Sequence, residues 1–121
     1  AYKAIASRKR SLKELEDYSF VSLISGTGTS DLYIRFFYEN HMRFSPDMEV
    51  ATTDQILPMV EHNLGLGFYP EEMASEFIQK GTILPIRIFE PVPYRTVCLI
   101  QDTSKPHSVA AGKLEEILLK R

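Results

Sequence analysis

A chain of 121 residues has room for one ordinary domain, and 44% hydrophobic with 25% charged residues is the mix of a folded globular protein, not a disordered or fibrous one. Fourteen basic residues stand against 16 acidic ones, so the net charge of -2 argues against nucleic-acid binding by this chain alone, which calls for a basic surplus. The single cysteine, Cys98, excludes an internal disulfide and fits a reducing compartment; with no apolar run near the roughly 20 residues that span a bilayer and no leader-like start, a cytoplasmic protein is expected.

The opening "AYKAIASRKRSLKEL" lacks a methionine, and Ile5 is nearly its sole strong apolar anchor, which suits part of a longer protein. "SRKR", 7 to 10, is expected to be a solvated linker. "LKELED", 12 to 17, suits a short helix with Ser11 and Glu14 as a capping box. "FVSLI", 20 to 24, is an apolar, β-branched run bounded by turn residues and predicts a buried strand. "SGTGTSD" follows, and then "SDLYIRFFYENHM", a helix with Ser30 as its cap and Tyr33, Phe36, Phe37, Ile34 and Tyr38 on a broad apolar face.

"DMEVAT", 47 to 52, predicts a short strand. Thr53 or Asp54 then caps a helix with a stripe of Ile56, Leu57, Val60 and Leu64, ended by Gly65 as a left-handed stop. "LGFY" is another short strand, and Pro70 opens a helix that Gly81 closes. In "TILPIRIFEPVPYRTVCLIQD" two strands flank "FEPVP", an extended crossover on which Cys98 is expected to be a buried small hydrophobe. "KPHSVAAGKLEEILLK" predicts a last amphipathic helix with Ala110, Leu114, Ile117 and Leu118 on one side.

Strand and helix alternate three times, which predicts an α/β fold, a mostly parallel sheet with helices on both faces. In such sheets ligands sit at the carboxyl ends of strands, and two hydroxyl-rich loops fall there, Ser25 to Ser30 and Ala51 to Asp54. "GTGTSD" is neither a P-loop, which needs a lysine and a hydroxyl at fixed positions, nor a dinucleotide fingerprint, whose third glycine is replaced by Asp31. No nucleophile elbow is present. Taken singly, each loop is explained as a capped turn; taken together, on one sheet edge, they suggest a binding cleft whose amides suit a carboxylate, sulfate or phosphate. His41, His62 and His107 show no metal-ligand spacing, and no catalytic acid, base or nucleophile pairs at workable spacing, so neither metal, cofactor nor catalysis is expected.

"MEVATTDQILPMVEHNLGLGFYPEEMA" followed by "LPIRIFEPVPYRTVCLIQDTSKPHSVAAGKLEEIL" resembles the effector-binding domain of LysR-type transcriptional regulators, with "VEHNLGLGFYP", 60 to 70, matching the family's "V-x-x-G-L-G" signature. The resemblance extends upstream through "SLKELEDYSFV" and covers nearly the whole chain. It implies a subdomain like that of a type II periplasmic binding protein, residues 11 to 92 forming the second subdomain and residues 93 to 121 the crossover strand and closing helix that return to the first. It implies a small-molecule effector, with an organic anion suited to the loops, bound at positions matching Ser25, Gly26, Thr27, Thr29, Thr52 and Thr53. Contact with DNA would run only through a separate amino-terminal helix-turn-helix, in a regulator that is a homo-oligomer. No arginine falls in either loop, so a strongly charged ligand would depend on backbone amides or the first subdomain. Two other classes compete: a periplasmic-type solute-binding protein, separated by its signal peptide, and a small α/β enzyme, separated by turnover.

Overall fold

The computed structural model describes residues 2–120; residues 1 and 121, at the outer limits of the expected domain, lie outside it. Three strands form one parallel sheet in the order β2-β1-β3: β1 is Phe20–Leu23, β2 Met48–Val50 and β3 Leu66–Gly67. The strand that comes first in the chain is central, and all four of its residues are buried, as a strand covered on both faces must be.

Alternation along β1 sends its side chains to two cores. Phe20 joins Phe36 and Phe37 of α2 (Gly28–Glu39) with Leu12, Leu15 and Leu66, while Val21 and Leu23 join Ile56 of α3 (Ile56–Glu61). The helices following β1 and β2 therefore lie on opposite faces, as the alternation predicts. The first core is aromatic: Phe37 stacks on Phe44 at 4.5 Å and meets Phe20 edge-on at 5.8 Å, and Tyr33 stacks on Phe68 at 4.6 Å. Two further helices complete this part, α1 (Lys3–Ala6), which buries Ile5, and α4 (Glu71–Lys80), opened by Pro70 and closed by Gly81 at φ 75°.

The expected capping box holds a 3-10 turn, Leu12–Leu15, where Glu14 accepts from the Ser11 amide at 2.7 Å. Other details differ. Ser30 is not the cap of α2; Thr27 is, accepting from the Ser30 amide at 3.0 Å, so the helix begins two residues earlier. Ile34 and Tyr38 are exposed, which narrows the helix's apolar face to Tyr33, Phe36 and Phe37. Neither Thr53 nor Asp54 caps the second helix: Thr52 does, through a 3-10 turn Thr53–Gln55 that leads into α3, and Leu64 is exposed beyond it. Gly65 is not a left-handed stop. Asn63 takes the positive φ, 59°, and Gly65 is glycine for space, since a Cβ there would stand 2.8 Å from the Ser19 carbonyl oxygen.

The crossover departs most. Of the two strands expected around "FEPVP", the first is reduced to one parallel bridge between Arg10 and Ile88, and the second does not form. Residues 94 to 111 are exposed, Cys98 among them, because no strand of the described chain lies beside them to pair with. The last helix, α5 (Val109–Leu119), forms with Ser108 accepting from the Ala111 amide at 3.1 Å, and buries none of its residues. Arg10, read as part of a linker, is instead half-buried, and residues 10–12 and 87–90 clasp each other. The Arg10 amide donates to the Arg87 carbonyl at 2.9 Å, the Phe89 amide donates to the Arg10 carbonyl at 2.9 Å, and the Leu12 amide donates to the Glu90 carboxylate at 2.7 Å.

Candidate effector-binding site

The register of the sheet brings the two hydroxyl-rich loops together. Leu23 pairs with Val50, and the Ile24 amide continues the ladder to the Val50 carbonyl at 3.0 Å. Both strands run the same way, so residues 24–29 and 51–55 leave one end of the sheet side by side. Their helices then diverge to opposite faces. Adjacent strands whose connections part in this way leave a crevice at their carboxyl ends, the usual ligand position in open α/β sheets.

On the first loop, Ser25 and Gly26 are exposed, and Gly26 sits at φ 92°, where a side chain would be strained. Thr27 is engaged by the fold: its hydroxyl caps α2 and lies 3.5 Å from the Ile24 carbonyl. The amides of Gly28 and Thr29, in the first turn of a 12-residue helix, have no acceptor among the described residues. On the second loop, Gln55 accepts from the amides of Ala51 at 2.9 Å and Thr52 at 3.2 Å, which closes that turn; Thr52 is exposed and Thr53 half-buried beside it. All six expected residues thus lie at one edge, with Thr27 the one most taken up by structure.

Two residues join them that the sequence did not single out. Arg95, on the crossover, donates from Nη1 to the Thr29 hydroxyl at 2.9 Å, across 66 positions. Tyr33 lies one helical turn beyond Thr29 and is 8% exposed. Burial pushes its phenol above the ordinary range, against the pull of the nearby Arg95 guanidinium, so it stays protonated at neutral pH. A signal for Arg95 existed, since it is the sole cation between Arg87 and Lys105, but nothing local says where the crossover lies.

The edge is therefore rich in donors: backbone amides, hydroxyls, a phenol and a guanidinium. It is one open wall. The two best-formed hollows lie elsewhere; one of about 310 Å³, lined by Tyr18, Phe20, Phe44 and Asp47, is at the amino ends of β1 and β2. Among the described residues no group of three or more histidine, cysteine or carboxylate side chains is placed to hold a metal ion, and no helix is long and apolar enough to cross a membrane.

No curated protein matches the chain. A family model does, over residues 2–121, and its description is the LysR substrate binding domain. Domains of this family are type II periplasmic-binding-protein-like and serve transcriptional regulators, which are generally not enzymes. With a doubly covered parallel sheet, a donor-lined edge and a match along nearly its whole length, this chain belongs to the LysR substrate-binding domain family and is a regulatory effector-binding domain.

Proposed function

We propose that the chain senses a small metabolite for a cytoplasmic, homo-oligomeric transcriptional regulator, and that occupancy changes DNA binding by a helix-turn-helix domain elsewhere in that regulator. The metabolite sits in the crevice formed by Ser25, Gly26, Thr27 and Thr29 on one loop and Thr52 and Thr53 on the other. The observation that carries this is the Leu23–Val50 pairing, which sets the two loops side by side while α2 and α3 depart to opposite faces.

Residues 11–92 act as the second subdomain, and residues 93–121 supply a strand and a helix to the first. Supporting this division, Tyr94, Val97 and Ile100 are 98%, 94% and 88% exposed, a pattern that fits a strand and a helix shaped for other neighbours. The effector then fills the space between subdomains and favours the closed arrangement by its extra contacts there. The shift it drives equals its difference in affinity between the two states.

A thermal-shift screen of metabolites tests the assignment. A ligand present at a hundred times its Kd adds about 2.7 kcal/mol to stability. Thr52→Ala and Thr29→Ala are expected to shrink that shift, while Thr27→Ala also weakens the α2 cap and lowers the unliganded Tm by itself. A ligand whose shift survives both Thr52→Ala and Thr29→Ala sinks the crevice assignment.

A further inference from the structure

We infer that Arg95 and Tyr33 read an oxyanion on the effector, Arg95 as the charged partner and the Tyr33 hydroxyl as a second donor. The inference rests on the crevice proposed above and narrows its ligand to an acid.

Arg95 is a cation without a counter-ion. Its guanidinium meets the neutral Thr29 hydroxyl at 2.9 Å, and among the described residues no carboxylate pairs with it. One N–H of a planar fork is thus used, and the fork suits a carboxylate or sulfate two bonds at a time. Asp31 and Asp54, the acids of the two first turns, are exposed, and neither engages it.

Tyr33 is the independent observation. More than nine-tenths of it is buried, its ring is fixed against Phe68, and its hydroxyl has no hydrogen-bond partner among the described residues. A buried phenol without a partner is costly unless something binds it. The Arg95 charge is felt at that phenol, which places the hydroxyl towards the guanidinium. With the free amides of Gly28 and Thr29, every group at this corner donates or is positive, so it suits an anion and repels an amine. Because Arg95 belongs to the crossover and the rest to α2, an anion seated here ties the departing chain to the first loop.

Calorimetric titration of the chain tests this with succinate, benzoate and sulfate, and with neutral succinamide as the control. At least one anion is expected to bind and to weaken with added salt. Arg95→Gln should lower its affinity by about tenfold or more, Arg95→Lys by less, and Tyr33→Phe by a few-fold, with circular dichroism unchanged for the exposed Arg95 variants. Binding of sulfate alone points to an inorganic oxyanion and binding of the carboxylates alone to an organic acid; either supports the inference. It is overturned if no anion binds, if succinamide binds as well as succinate, or if Arg95→Gln binds like the parent. If Thr52→Ala and Thr29→Ala weaken a neutral ligand that Arg95→Gln leaves untouched, the crevice stands and the anion does not. If Arg95→Gln weakens an anion that both threonine variants bind normally, the crevice assignment is the one that fails.

Discussion

Ser22 is a hydroxyl in the wrong solvent. It lies on the α2 side of the central strand, is 2% exposed, and its Oγ has no hydrogen-bond partner among the described residues. A buried donor left unpaired costs about 1–3 kcal/mol, so Ser22→Ala should stabilise the fold by about 1 kcal/mol once the small void is set against it. Chemical denaturation measures this directly, and a loss of stability would mean that the hydroxyl is bonded. Tyr33 makes the matching prediction in pH. Its pKa is raised above 10.0 in the folded chain, so folded and unfolded states are both protonated at neutral pH and nothing changes there. As pH climbs through the ordinary tyrosine range the unfolded chain ionises first, and stability falls until the buried phenol follows. Tyr33→Phe should flatten that alkaline decline, read as urea midpoints at about pH 8 and about pH 11. The choice of cap was the residue-scale detail that the sequence hid. Thr27, Thr29 and Ser30 are equally good caps on paper, and the turn at Gly26 selects Thr27 by setting where the helix can begin.

Among the elements, the legible ones are those whose cause is local. "FVSLI" is apolar without a break, "PEE" opens a helix and Gly81 stops one, and each element stands where the pattern puts it. Glycines misled, because the letter is the same whether it serves a turn or a tight approach. Gly65 and Gly67 both serve approach: a Cβ on Gly67 would stand 2.7 Å from Cγ2 of Ile56, where β3 lies under α3. Gly65→Ala and Gly67→Ala should each cost about 1–3 kcal/mol through forced backbone shifts, whereas Gly28→Ala, with open space around its Cβ, should be far milder. Denaturation midpoints of the three variants check that order. The 3-10 turn after Ser11 has its own signature in acid. Glu14 is held below the ordinary carboxylate range, first by the Ser11 amide and then by Arg8, at 2.6 Å. A depressed carboxylate stabilises above its unfolded pKa, and that share is lost as pH falls through the folded value. Glu14→Gln should remove the acid-sensitive share and fray residues 11 to 15, visible as faster amide exchange there.

For the whole molecule, the fold class and both loops of the candidate site were legible, because alternation of strand and helix fixes which strand ends gather. The crossover was not. "YRTVCLIQD" has the composition of a strand, but a strand is a relation between two segments, and none of the described chain runs beside it. The site residues Arg95 and Tyr33 escaped for the same reason, since the meeting of positions 29 and 95 exists only in three dimensions. Because residues after Val92 bury almost nothing, ending the chain there should leave the cooperative unfolding of residues 2–92 nearly intact, with Tm lowered by only a few degrees. A loss of cooperativity in that shortened chain would show that α5 carries part of the core.

The clasp between residues 10–12 and 87–90 has a mechanical consequence. Arg10 and Ile88 run parallel, one leading into the unit and the other out of it. Tension applied through the flanking chain pulls Lys9 backward and Pro91 forward, along the direction of the pair and not across it. The three hydrogen bonds of the clasp are then loaded in shear and must yield together, where an antiparallel pair would unzip one bond at a time. Stretched in a force spectrometer from its two sides, the unit should open in one abrupt step, and Glu90→Ala, which removes the acceptor of the Leu12 amide, should lower the force at which it does.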